Sequence, residues 1–196
     1  MNIQAMKQAL RQSIIAARLG ITPAERLRLN NLIAARIVQL EVYRTAATVL
    51  GYMNFGAEFA AEIFVRQALL DGKQVLLPKV NRDSGQLDVY RVTDLAQDVA
   101  PGRWDIREPV SARCEQVTDL TFVDFILLPG VAFGLDGARL GYGGGFYDKL
   151  LARMPHQPSL VAAGFALQVV EGIPQEATDR KVEWLITEQE TIRCAA

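Results

Sequence analysis

The stretch Val123-Asp-Phe-Ile-Leu-Leu-Pro-Gly130 constrains the chain more than any other. A strand with one face in water alternates apolar and polar side chains. Phe125-Ile-Leu-Leu128 does not alternate, so it needs apolar cover on both faces. That places it inside a sheet with helices packed above and below. The segments around it alternate helical and extended periodicities, which predicts an α/β fold: a single layered domain with a mostly parallel sheet flanked by helices.

Along the chain, Ile3, Met6, Leu10, Ile14 and Ala17 recur at helical spacing and predict a helix over 3–19, ended at Gly20. Thr22, Pro23 and Glu25 then read as N-cap, first helical residue and capping-box partner. The second helix places Leu29, Leu32, Ile33, Ile37 and Leu40 on one side. A buried strand over 45–53 follows, then a helix over 58–71 stopped by Gly72. Residues 73–80 and 87–92 form the arms of a hairpin around a turn at 81–86. Residues 94–118 are polar and irregular, broken at Pro101-Gly102. Beyond the central strand come a helix over 146–154, a strand over 159–166, a loop over 172–182 and a last strand over 183–187. With no repeat and no linker, residues 1–196 are expected to form one domain.

Charge and composition narrow the function. The formal net charge is −1, so no global field attracts nucleic acid or an anionic membrane, and any basic site is local. No apolar run approaches the roughly 20 residues that cross a bilayer. The first residues, MNIQAMKQALRQS, have no uninterrupted apolar core of the secretory kind. Cys114 and Cys194 are far apart and make neither a disulfide framework nor a metal set. The expectation is a soluble protein of a reducing compartment. The single histidine, His156, lies in the proline-flanked RMPHQPS, which disfavours Ser-His-Asp, Cys-His and zinc chemistry.

The chemistry is concentrated in RLGYGGGFYDKL, Arg139 to Leu150, where Gly141, Gly143, Gly144 and Gly145 separate an apolar strand from a helix. Ligands collect at the carboxyl ends of strands in such sheets. Backbone N–H groups freed of β-carbons can approach an anion closely, the next helix adds its positive end, and Arg139 adds a bidentate grip. The loop is neither a P-loop nor a dinucleotide fingerprint, since Phe146 stands where each needs another residue. A demanding turn without a ligand is the alternative. Asp148 reads as a magnesium ligand beside a nucleotide or as a carboxylate at a positive helix end, and Asp179 as a second ligand or a solvated loop residue. Lys7 and Arg11, one turn apart, form a solvated face or an anion clamp.

The segment LLPGVAFGLDGARLGYGGGFYDKLL, with KQALR, YMNFGAE, GKQVLLPKV, WDIREP and ATDRKVEWLI, resembles the 5-formyltetrahydrofolate cyclo-ligase family over nearly the whole chain. The resemblance implies a fold related to the CoA-transferase and ribose-phosphate-isomerase group. It implies an ATP- and Mg²⁺-dependent closure of 5-formyltetrahydrofolate to 5,10-methenyltetrahydrofolate by a cytoplasmic monomer with small-molecule substrates. Carried over by position, Lys7, Arg11 and the run Arg139, Leu140, Gly141, Tyr142, Gly143, Gly144, Gly145, Phe146 and Tyr147 match ATP-binding positions. Met53, Glu58, Trp104 and Tyr142 to Phe146 match folate-binding positions. Asp148 and Asp179 match the magnesium carboxylates, and Arg139, Tyr147 and Lys79 lie where catalytic groups are expected. The chain departs from the family pattern at Phe146, in place of the more common tyrosine, at Phe59-Ala60-Ala61, and at Thr178 before Asp179. Such a reaction needs charge neutralisation and positioning rather than a strong base, consistent with a chain poor in histidine. A same-fold enzyme without ATP and a binding protein without turnover are the competing readings.

Overall fold

The computed structural model describes residues 2–102, 106–176 and 179–194. Its helices are α1 (Ile3–Leu19), α2 (Pro23–Ile37), α3 (Glu41–Thr45), α4 (Ala61–Leu70) and α5 (Phe146–Ala152). The first strands are β1 (Thr48–Leu50), β2 (Gln74–Asn81), β3 (Gln86–Val92), β4 (Val99–Pro101), β5 (Arg107–Pro109) and β6 (Gln116–Val117). Then come β7 (Phe125–Leu128), β8 (Ala132–Gly134), β9 (Arg139–Leu140), β10 (Ser159–Ala163), β11 (Val169–Val170), β12 (Trp184–Ile186) and β13 (Thr191–Arg193).

Phe125, Ile126, Leu127 and Leu128 of β7 are fully buried, and they divide between two cores. Phe125 and Leu127 join Tyr43, Phe64 and the inner faces of α2 and α4. Ile126 and Leu128 join Leu50, Leu76, Leu160 and the α5 side chains Leu150 and Leu151. The unalternating run therefore has cover on both faces, as its composition requires. It lies within an eight-stranded sheet of order β13-β12-β10-β7-β1-β2-β3-β6. The pairs from β12 through β2 are parallel, and the outer pairs β12–β13, β2–β3 and β3–β6 are antiparallel. Asp124 pins the start of the central pair by accepting the N–H groups of Ala47 and Thr48 at 2.8 and 2.9 Å.

Several boundaries differ from expectation, each for a local reason. The strand expected over 45–53 is confined to β1, because Glu41–Thr45 coils into α3 and residues 51–53 leave the sheet toward the cleft. The fourth helix begins at Ala61 rather than at residue 58. Gly56 takes a φ of +54°, and Asn30 of α2 accepts the Ala60 N–H, so the chain turns through Glu58 before it coils. Thr22 caps α2 by accepting the Glu25 N–H, but Glu25 spends its carboxylate on Arg28 instead of closing a box. Leu32 points outward at 39 % exposure, whereas Leu29, Ile33, Ile37 and Leu40 are buried. Within 94–118 the chain forms the β4–β5 hairpin and the edge strand β6. The strand expected over 183–187 is β12, but β13 follows it as the last, and α5 stops at Ala152, two residues early.

A second sheet, β11-β8-β9, takes β8 and β9 from the chain between β7 and the glycine loop. Val131, Ala132, Ala138 and Leu140 of this region pack with Ile14 of α1, which seats the N-terminal helix beside the loop. Buried Gln168 locks the junction. Its Nε2 donates to the Gly130 and Val131 carbonyls at 3.2 and 2.9 Å, and its Oε1 accepts the Phe165 N–H at 2.9 Å. Gln168→Leu orphans these buried backbone groups, so it should lower unfolding free energy by about 2–4 kcal/mol. A urea denaturation midpoint unchanged from that of the parent protein would remove Gln168 as the lock.

Candidate active site

A cleft of about 1460 Å³ opens where the chain leaves β1 at Tyr52 and Met53 and leaves β7 at Pro129. Arg11 of α1, the glycine loop and the residues Glu176, Asp179 and Arg180 complete its walls. Pockets for one small ligand span roughly 300–1,000 Å³, so this cleft has room for two.

At one end the walls are cationic. Arg139 is nearly buried, and its Nη1 donates to the Pro129 carbonyl at 3.1 Å while Nη2 pairs with Asp148 at 3.0 Å. Its Nε is buried and has no hydrogen-bond partner among the described residues. Arg11 donates from Nε to the Gly141 carbonyl at 2.7 Å, tying α1 to the glycine loop. Lys7, on the same helix face, pairs with Glu176 at 2.9 Å and Asp179 at 2.8 Å. Burial opposes the ammonium charge, but its hydrogen bonds to Asp179 and Glu176, with the charges of those carboxylates, together outweigh it and raise the Lys7 pKa. In Asp179, burial likewise opposes ionisation, but the hydrogen bonds from Lys7 and the Glu176 N–H and the nearby Lys7 and Arg139 charges together hold the carboxyl below its usual range.

The loop's backbone follows its composition. Gly143 has φ +103° and Gly145 φ +64°, conformations that strain any residue with a β-carbon, and Gly145 is the N-cap of α5. Because α5 has only seven residues, its positive end adds little. The cations, rather than the helix, dominate this end of the cleft.

Asp148 and Asp179 are brought to this same end, since the Arg180 N–H donates to Asp148 Oδ1 at 3.3 Å. Asp148 Oδ1 and Asp179 Oδ2 hold the hydrogen bonds, leaving the other oxygen of each without one among the described residues. No cluster of three or more His, Cys, Asp or Glu is gathered there among the described residues. Two carboxylates with a free oxygen each fit Mg²⁺ whose shell is completed by phosphate and water.

The other end is aromatic and carries a buried acid. Met53, Phe55, Glu58, Tyr142, Phe146 and Tyr147 line it. Glu58 is 4 % exposed; Oε2 accepts the Phe55 N–H at 2.7 Å, and Oε1 has no partner among the described residues. Burial pushes its pKa up, against the Phe55 N–H, Arg18 and Tyr142, which pull it down. Tyr142 is pushed up to about 12, by burial first and then by the Glu58 charge. Its ring meets Phe55 edge-on at 5.8 Å between centroids.

One expected residue is not brought in. Lys79 of β2 directs its Nζ to the Pro109 carbonyl and the Ser111 hydroxyl, each at 3.0 Å, while its neighbours Pro78 and Val80 line the cleft. Strand alternation accounts for this. Trp104 and Thr178 lie outside the described residues. Leu140 contributes backbone only, because its side chain packs in the core against α1. Sequence reasoning missed Tyr52, Glu176, Arg180 and, above all, Arg18. The signal for Arg18 was present: residues 7, 11, 14 and 18 share one face of a helix.

The family model of the 5-formyltetrahydrofolate cyclo-ligase family matches residues 3–188. The chain is 27% identical to a mouse protein named 5-formyltetrahydrofolate cyclo-ligase, over 95% of each chain. An Escherichia coli protein of that name is 28% identical, over 87% of this chain and 93% of its own. The solved structure of Aquifex aeolicus 5,10-methenyltetrahydrofolate synthetase superposes with a TM-score of 0.81 at 32% identity, covering 96% of this chain and 92% of that one. The strand–glycine-loop–helix cleft thus stands in a chain that belongs to the 5-formyltetrahydrofolate cyclo-ligase family.

Proposed function

We propose that the chain converts 5-formyltetrahydrofolate and ATP to 5,10-methenyltetrahydrofolate, ADP and phosphate. The observation that carries this reading is one continuous cleft with a cationic, glycine-lined end and an aromatic end holding a buried carboxylate. The first suits a triphosphate and the second a pterin.

The formyl oxygen attacks the γ-phosphorus and ADP departs with the bridging oxygen. N10 then attacks the activated formyl carbon, loses its proton to solvent, and phosphate leaves with the C–O bond. The attacking oxygen carries no proton, so no protein base is needed for the first step. Lys7, Arg11 and Arg139 offset the triphosphate charge, and the loop amides orient it. Asp148 and Asp179 would hold Mg²⁺, which when bound neutralises phosphate charge. Glu58 Oε1 accepts from the amino-pyrimidine edge of the pterin, while the Tyr142 and Phe55 rings bound its faces. Among the described residues no helix is long and apolar enough to cross a membrane; we expect the enzyme to act as a cytoplasmic monomer.

The decisive measurement is methenyltetrahydrofolate absorbance with and without Mg-ATP. Product should form only with Mg-ATP. A same-fold enzyme indifferent to ATP would show no dependence, and a binding protein would give no chromophore. Arg11→Ala should raise the ATP KM at least tenfold and the folate KM less than threefold, as loss of a charge-assisted contact predicts; equal losses would displace Arg11 from the triphosphate. Glu58→Gln should raise the folate KM about tenfold at neutral pH with the ATP KM unchanged. Burial lifts the Glu58 pKa, so the carboxylate protonates at a higher pH than an ordinary glutamate. In the parent enzyme, folate affinity should therefore begin to fall before pH descends to the ordinary glutamate range. Glu58→Gln should lack that step, and a step of the same size in the variant would assign it elsewhere.

A further inference from the structure

Arg18 closes the last turn of α1, and a cation there would be equally favourable on the surface. Instead it is 2 % exposed, with Nε and Nη1 buried and unpartnered among the described residues. Burying a guanidinium with orphaned N–H groups costs stability, so stability alone does not account for it. Its single side-chain hydrogen bond among the described residues runs from Nη2 to the Tyr142 hydroxyl at 2.7 Å. Tyr142 belongs to the glycine loop, between Gly141 and Gly143. The ring is still 43% exposed and stands against Phe55, which the Glu58 carboxylate holds through its N–H. Arg18 thus supplies the hydrogen bond that fixes a half-exposed ring whose other named contact is the edge of Phe55.

We infer that Arg18 is a positioning residue for the folate substrate, holding Tyr142 in place over the Glu58 end of the cleft through the bond to its hydroxyl. The inference rests on the folate reading of that end. A charge-assisted hydrogen bond to a phenol aims the ring without entering the ligand's space. The effect belongs in substrate affinity, since neither group touches the transferred phosphoryl.

The test is a cycle of Arg18→Gln, Tyr142→Phe and the double variant, with KM for 5-formyltetrahydrofolate, KM for ATP, kcat and thermal midpoint measured for each. Tyr142→Phe keeps the exposed ring and loses only the hydroxyl, so it remains informative should Arg18→Gln fail to fold. Each single variant should raise the folate KM about tenfold and leave the ATP KM and kcat within about twofold. The double variant should be no worse than either single one. Arg18→Lys, which keeps charge and donors, should recover most of the affinity when Tyr142 is present and none when combined with Tyr142→Phe. Multiplicative losses in the double variant, or equal losses in folate and ATP affinity, would reduce Arg18 to a packing role and overturn the inference. A parent enzyme that formed no methenyl product would overturn the proposed function, and the positioning role with it.

Discussion

The double-sided burial of β7 is the constraint on which the rest depends. Once Phe125 and Leu127 are committed to one core and Ile126 and Leu128 to the other, helices must lie on both faces. The parallel neighbours β1 and β10 then run in the same direction. Their carboxyl ends coincide, and the chain has to emerge there at Tyr52 and Pro129. The cleft follows from the sheet rather than from an added device.

Charge compensation then shapes what the cleft can do. At its glycine-lined end Lys7 is engaged with Glu176 and Asp179, Arg139 with Asp148, and Arg11 with the Gly141 carbonyl. Without such partners, groups this buried would carry a large desolvation cost. Under the proposed function, a polyanion bringing its own metal would exchange one set of partners for another, and the ion pairs keep the cleft organised before it arrives. At the opposite end, Glu58 Oε1 and two nitrogens of Arg18 lack partners among the described residues. Such unsatisfied buried groups carry a stability cost, which is what singles them out as candidates for the proposed folate end.

How far the residues could be read depended on the range of the forces acting on them. The glycine loop was legible because φ above zero at Gly143 and Gly145 is a local demand. Lys7 and Arg11 were legible because helical spacing puts them on one face. Glu58 was placed at a helix start, yet it lies in the turn before α4, because Asn30 from α2 satisfies the Ala60 N–H from across the core. Lys79 was expected at the site, yet alternation along β2 and the Pro109 carbonyl on β5 draw it elsewhere. The β8–β9 hairpin was overlooked because its strands have three and two residues, too short for a period to register.

By itself the sequence determined the layered α/β class, the central strand, the loop's conformation and the family signature, since each is written in neighbouring residues through periodicity, β-carbon sterics and turn chemistry. Only the tertiary structure decided that Asp148 and Asp179 share one end of the cleft and that Lys7 reaches Glu176 and Asp179. The same holds for Arg18 beneath Tyr142, 124 positions away. Those meetings depend on how α1 seats against the small β11-β8-β9 sheet, a matter of packing between distant segments that no local pattern encodes.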